Sequence, residues 1–224
     1  MSEFYLVRHG QASFGADNYD QLSELGYQQA LWLGQHLKER QIEFDRVVLG
    51  SMARHQQTAD NICEGLDAKP TLEVHEGLNE YDFHALVKAY LIQFPEQAPK
   101  ENADHREFYR ILKKALQLWS KDELTGIIPE TWSNFQQRLR SALDLVQNCD
   151  RSKRTLVVSS GGPIAMTMCH VLDLADEMMI RLNLQVKNTS FSQFFYNAQS
   201  IQLGSFNCTS HLETAWRKDA ITFS

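Results

Sequence analysis

Phe4-Tyr5-Leu6-Val7-Arg8-His9-Gly10 is the stretch on which the fold turns: an apolar run that passes directly into an arginine, a histidine and a glycine. Such a run reads as a buried strand delivering polar side chains to the carboxyl edge of a sheet. Open α/β sheets bind their ligands at that edge. Arginine offers a planar fork of donors to phosphate oxygens, and a neutral imidazole held by a neighbouring hydrogen bond can attack phosphorus. Gly10 suits a close approach of backbone to an anion, or a positive φ.

Working outward, Ser23 reads as the N-cap of a helix running to about Arg40. Residues 44–49 form a second strand, closed by Gly50-Ser51. Ser51 is placed to cap a helix that starts at Met52-Ala53-Arg54 and ends near Gly65. Thr71–Val74 is a third strand. This β-α-β-α-β order predicts a layered α/β domain. The expected architecture is a three-layer α/β/α sandwich with a mostly parallel central sheet and an antiparallel edge. Residues 85–130 break the pattern with Pro95, Pro99, Pro129 and a charged run, and read as a helical lid inserted over the carboxyl edge. The aromatic residues there, Tyr90, Phe94, Phe108, Tyr109 and Trp119, read as lid core rather than substrate wall. Thr131 caps a further helix, and 155–159 is a strand. Ser160-Gly161-Gly162 forms a tight loop, with Pro163 at the first position of the next helix. Asp176–Asn183 is helical, 188–196 and 201–206 are closing strands, and the tail after Cys208 is a polar loop free to return near the site. The whole chain, 1–224, reads as a single domain.

The bulk properties narrow the function. Apolar content of 43% supports a full core, and a net charge of −6 gives no footprint for nucleic acid. The four cysteines, Cys63, Cys149, Cys169 and Cys208, are scattered without a Cys-x-x-Cys, which points to a reducing, cytoplasmic setting. No stretch is long enough to span a membrane, and the first apolar run is too short for a signal peptide. Oligomeric state is left open.

Three loops leave strand ends toward helix N-termini, which favour anions. They carry Arg8-His9, Arg54, and Ser159-Ser160-Gly161-Gly162. A fourth segment, Leu78-Asn79-Glu80-Tyr81-Asp82-Phe83, offers carboxylates as proton donors for a leaving group.

In these segments the chain resembles the histidine phosphatase superfamily, the group that includes cofactor-dependent phosphoglycerate mutases. Arg8-His9-Gly10 matches the signature tripeptide. Ser23-Glu24-Leu25-Gly26 through Gln29-Ala30 resembles the segment opening the first helix. Ser51 through Arg54 to Gln57-Thr58-Ala59 resembles the second motif, Leu78-Asn79-Glu80 the acid loop, and Gly161-Gly162 the last core motif. The resemblance implies His9 as the nucleophile that carries the phosphoryl group, and Arg8 and Arg54 as phosphate ligands. Glu80 would be the acid that protonates the leaving oxygen, and Ser160 and Gly161 would border the phosphate. It implies a phosphomonoester hydrolase that needs neither metal nor cofactor, acting on a small phosphorylated substrate and binding inorganic phosphate.

Two departures stand out. Where the family has a second histidine before the glycines, this chain has Ser160, and Ala12 replaces a Ser or Thr common in relatives. A neutral hydroxyl in place of a potentially cationic donor weakens the site by roughly one to two kcal/mol. The alternative is therefore a phosphate-binding or regulatory protein on the same fold, with mutase activity a third reading. His55, His84 and His211 are other sources of an imidazole, but read as surface or packing histidines. If the change is a simple loss, Ser160→His raises turnover.

Overall fold

The computed structural model describes residues 2–13, 20–99, 105–148 and 154–223. Among the described residues there is one six-stranded sheet. In chain order its strands are β1 (Ser2–Arg8), β2 (Arg46–Leu49), β3 (Thr71–Val74), β4 (Arg154–Ser159), β5 (Phe191–Tyr196) and β6 (Ile201–Cys208). Their spatial order is β3-β2-β4-β1-β5-β6. β1 pairs in parallel with β4, and β2 in parallel with both β3 and β4. β5 runs antiparallel to β1 and to β6, which supplies the expected antiparallel edge.

The pleat sorts the side chains into two cores. Phe4 and Leu6 of β1, with Val48 and Val157, face one layer. Tyr5 and Val7, with Val47, Leu49, Leu156 and Val158, face the other. Successive strand residues point to opposite faces, so a strand apolar at every position is one covered on both sides. The second face is covered by α1 (Glu24–Glu39) and α2 (Ala53–Leu66), which contribute Ala30, Leu33, Leu37, Ala59 and Ile62. The first is covered by α3 (Phe83–Gln93), α4 (His105–Trp119), α5 (Trp132–Gln147), α6 (Gly161–Val171) and α7 (Asp176–Asn183). The result is the three-layer sandwich. Across β1 and β5, Phe4 sits in register with Phe194 and their rings stack at 4.7 Å.

Local chemistry sets the helix starts. Ser23 Oγ accepts from Gly26 N at 3.1 Å, and Thr131 Oγ1 accepts from Asn134 N at 3.2 Å, each satisfying an orphan amide. Two expected starts differ. Ser51 does not cap α2: its hydroxyl accepts from Asn79 Nδ2, and Asp20 Oδ2 takes the Ala53 amide instead, at 2.9 Å. Helix α6 begins at Gly161, with Ser160 as its N-cap. Pro163 is therefore the third helical residue, still within the first turn, where a missing N–H costs no helical bond. β2 begins at Arg46, not at 44, and β5 at Phe191, because Thr189 adopts a left-handed φ of 51° just before it.

Candidate active site

The carboxyl ends of β1, β2 and β4 open on one side of the molecule, where the four motif segments meet. His9 follows β1, and its amide donates to Ser159 O of β4 at 2.9 Å. The motif residues without reactive groups tie these turns together. Thr58 Oγ1 accepts from Gly10 N at 3.0 Å, Gln29 Oε1 from Gln11 N at 2.8 Å, and Gln57 Oε1 from Leu22 N at 2.9 Å. Gly10 has no positive φ. A Cβ there would stand 2.4 Å from Gly26 O, so this glycine serves the packing of the turn against α1.

His9 is 4% exposed, and its Nδ1 lies 2.7 Å from Gly10 O. A carbonyl only accepts, so Nδ1 carries the hydrogen and Nε2 presents its lone pair. Burial, then the charges of Arg54 and Arg8, then His55, hold the His9 pKa well below 6.5. The imidazole is thus neutral and nucleophilic at neutral pH. Both guanidinium groups act on this ring, so residues 8, 9 and 54 converge.

Arg54, buried in the first turn of α2, is held by Asp20 Oδ1 at 2.7 Å. Arg8 lines the cavity, and its Nη1 donates to the carbonyls of Val186 and Phe223. The tail does return to the site: Gln29 Nε2 donates to Ala220 O at 2.7 Å, and Asn188 N to Thr222 O at 2.9 Å.

Glu80 lies in the cavity wall. Its Oε2 accepts from Gly162 N at 3.1 Å, and desolvation raises its pKa above 4.5, opposed by that bond and by Arg54 and Arg8. A carboxyl so placed holds its proton more readily than an exposed one. A Cβ on Gly162 would stand 2.2 Å from Glu80 Oε1, so this close approach requires glycine. The amides expected to lie open to an anion are occupied in part: Asp20 takes Ala53 N, and Glu80 takes Gly162 N. Gly161 is buried against Asn183, and Ser160 Oγ lies 2.7 Å from His55 Nε2.

His84 and His211 lie elsewhere. His84 packs on Phe83, and His211 bonds Thr189 Oγ1 at 2.9 Å. His55, read from sequence as a surface or packing histidine, is fully buried, and packs beside His9 with ring centroids 5.8 Å apart. Asp20, Asn188 and Arg138 also escaped sequence reading. Asn188 Nδ2 donates to His9 O at 3.2 Å. Arg138 Nη1 donates to Gly77 O at 3.1 Å and Asn79 O at 2.6 Å, bracing the acid loop from α5. Of these, only His55 left a sequence signal, its adjacency to Arg54 in the first turn of a helix. Asp20 caps a helix 33 residues away, which no local pattern reveals.

A cavity of about 290 Å³ opens at Arg8 and Glu80, walled by Phe83, Phe108, Tyr109, Leu112 and Phe223 among others. The aromatic residues of α3 and α4 therefore divide: Tyr90 and Trp119 are core, while Phe108 and Tyr109 face the cavity. Among the described residues, no helix is long and apolar enough to cross a membrane.

Residues 4–209 match the family model of the histidine phosphatase superfamily, branch 1. A curated relative from Erwinia tasmaniensis, named "Probable phosphoglycerate mutase GpmB", is 28% identical over 201 residues, covering 86% of this chain and 84% of its own. The solved α-ribazole phosphatase from Shigella flexneri superposes with a TM-score of 0.64 at 19% identity, covering 92% of this chain and 96% of that one. Phosphoserine phosphatase from Entamoeba histolytica, solved with 3-phosphoglyceric acid, gives 0.65 at 22% identity over 95% and 100% of the two chains. At these identities the structural likeness establishes the fold.

Proposed function

We propose a phosphomonoester hydrolase from one premise: the chain belongs to the histidine phosphatase superfamily. The observation that carries the reading is the state of His9, with Nδ1–H committed to Gly10 O, Nε2 bare, and two guanidinium charges beside it. Nε2 attacks phosphorus as the ester P–O bond breaks, and the protonated Glu80 gives its proton to the departing oxygen. Water then attacks the phosphohistidine, returns a proton to Glu80, and releases inorganic phosphate. Charge spread over the transferring group is met by Arg8 and Arg54. In this reading no metal or cofactor takes part.

The cavity beside Arg8 and Glu80 is the place for the leaving alcohol. Its aromatic wall favours a small phosphomonoester with an apolar or aromatic alcohol over the carboxylate of a sugar acid phosphate. Residues 85–130, read as a lid, would set that preference.

The test is turnover of an aryl phosphate in EDTA, by the natural chain and by His9→Ala, with acid-quenched enzyme assayed for an acid-labile phosphoryl group. Turnover and label from the natural chain, both lost in His9→Ala, support the reading. Equal rates for the two proteins overturn it, as does transfer to phosphoglycerate without net phosphate release.

A further inference from the structure

The family's second histidine is missing from its position, yet a second imidazole stands in the site. His55 is fully buried, as is Ser160, and Nε2 of the one lies 2.7 Å from Oγ of the other. Ser160 is the N-cap of α6 but makes no side-chain capping bond, so its hydroxyl is committed to His55. The other ring nitrogen, Nδ1, packs against the Gly50 backbone. The contact lacks regular hydrogen-bond geometry, but its electrostatics favour a proton on the ring. In the tautomer with hydrogen on Nδ1, Nε2 accepts from Ser160 O–H. Burial, then the Arg54 charge, hold the His55 pKa well below 6.5.

We propose that His55 is a positioning residue acting through Ser160, so that the two together stand in for the absent histidine. The proposal rests on the hydrolase reading. A bound phosphate monoanion donates its P–O–H hydrogen to Ser160 Oγ, while Ser160 passes its own to His55 Nε2. On Ser160 one O–H bond forms as another breaks. The phosphoryl group is left dianionic, facing an imidazolium one hydroxyl away. The charged and titratable groups that face this pair are Arg54 beside His55, His9 at 5.8 Å between ring centroids, and Arg8 and Glu80 at the cavity. The negative charge of the phosphate is what draws the proton onto a ring that is otherwise held neutral.

Four variants test this with an aryl phosphate, alongside thermal melts that check folding. His55→Ala and Ser160→Ala each lower kcat by about tenfold, the difference between a charge-assisted and a neutral hydrogen bond. The double variant loses no more than either single one, because the two act as a unit. His55→Gln keeps a partner for the hydroxyl and a near-natural melting temperature, but has the kcat of His55→Ala, since an amide takes up no proton. Ser160→His loses activity, as the larger ring has no room beside His55, and adding His55→Ala restores part of it. Losses that multiply in the double variant, a His55→Gln as fast as the natural chain, or a faster Ser160→His would each overturn the proposal. All of those outcomes leave the His9→Ala test of the hydrolase reading untouched.

Discussion

Asp20 Oδ1 lies 2.7 Å from Arg54 Nη1, while Oδ2 of the same carboxylate accepts the Ala53 amide at 2.9 Å. One side chain thus caps a helix and aims the guanidinium carried on its first turn. Asp20→Ala should raise KM for an aryl phosphate severalfold and weaken protection by inorganic phosphate. Loss of the cap should cost about 1 kcal/mol, or about 2–4 °C in Tm. Kinetics and a thermal scan on the same preparation check both effects, and an unchanged KM would detach Asp20 from substrate binding.

Glu80→Gln keeps an oxygen to accept from Gly162 N but has no proton to give. Its kcat should fall by about 10²–10⁴ on an alkyl phosphate, whose alkoxide needs protonation. On a nitrophenyl phosphate, whose leaving group departs unaided, the fall should be much smaller. Equal losses on the two substrates would place the acid elsewhere.

The two shifted groups set the pH profile. His9 must be neutral, and its pKa lies well below 6.5, so activity is lost only as pH falls through that lowered value. Glu80 must be protonated, and its pKa is raised above 4.5, so activity is lost as pH rises through that raised value. The expected kcat/KM is a bell bounded by the lowered His9 pKa on the acid limb and the raised Glu80 pKa on the alkaline limb. Glu80→Gln should remove its alkaline limb, as measured by initial rates across pH 4 to 8.

The buried histidines also make stability depend on pH. His211 is held down to about 3, by desolvation first and then by His36 and Arg217, and His9 and His55 are also shifted downward. The unfolded chain therefore binds more protons than the folded one below 6.5. Folded stability is fully present above that value and is lost as pH falls, by about 1.4 kcal/mol per unit for each histidine still neutral in the fold. The raised pKa of Glu80 offsets part of this. Urea midpoints between pH 7 and 4 should fall steadily, and His211→Asn should flatten the slope.

Much of this was legible in the chain. Strand β3 and helix α7 fall where periodicity puts them, and Ser23 and Thr131 cap as their spacing predicts. Arg8, His9, Arg54 and Glu80 converge because each sits at a turn leaving the same sheet edge, which residue order reveals. The supports were not legible. Asp20, Arg138 and Asn188 reach the site through side chains crossing long separations, and a capping or carbonyl bond of that kind leaves no periodic trace. His55 packs, as one branch of its sequence reading had it, but its place beside His9 was not legible. Its partner Ser160 is 105 positions away.

The sheet order also constrains how the molecule is made. Among the described residues, strand β1, which positions His9, pairs with β4 and β5 alone, beginning at Arg154 and Phe191. During synthesis the apolar run from Phe4 to Val7 emerges ahead of both partners and stays unpaired until about 150 further residues have followed it. At about 5–20 residues per second, that is on the order of ten seconds of exposure on the ribosome. The nascent chain should therefore be a client for a chaperone that shields short hydrophobic segments, and the long-range pairing of β1 with β4 should make refolding slow.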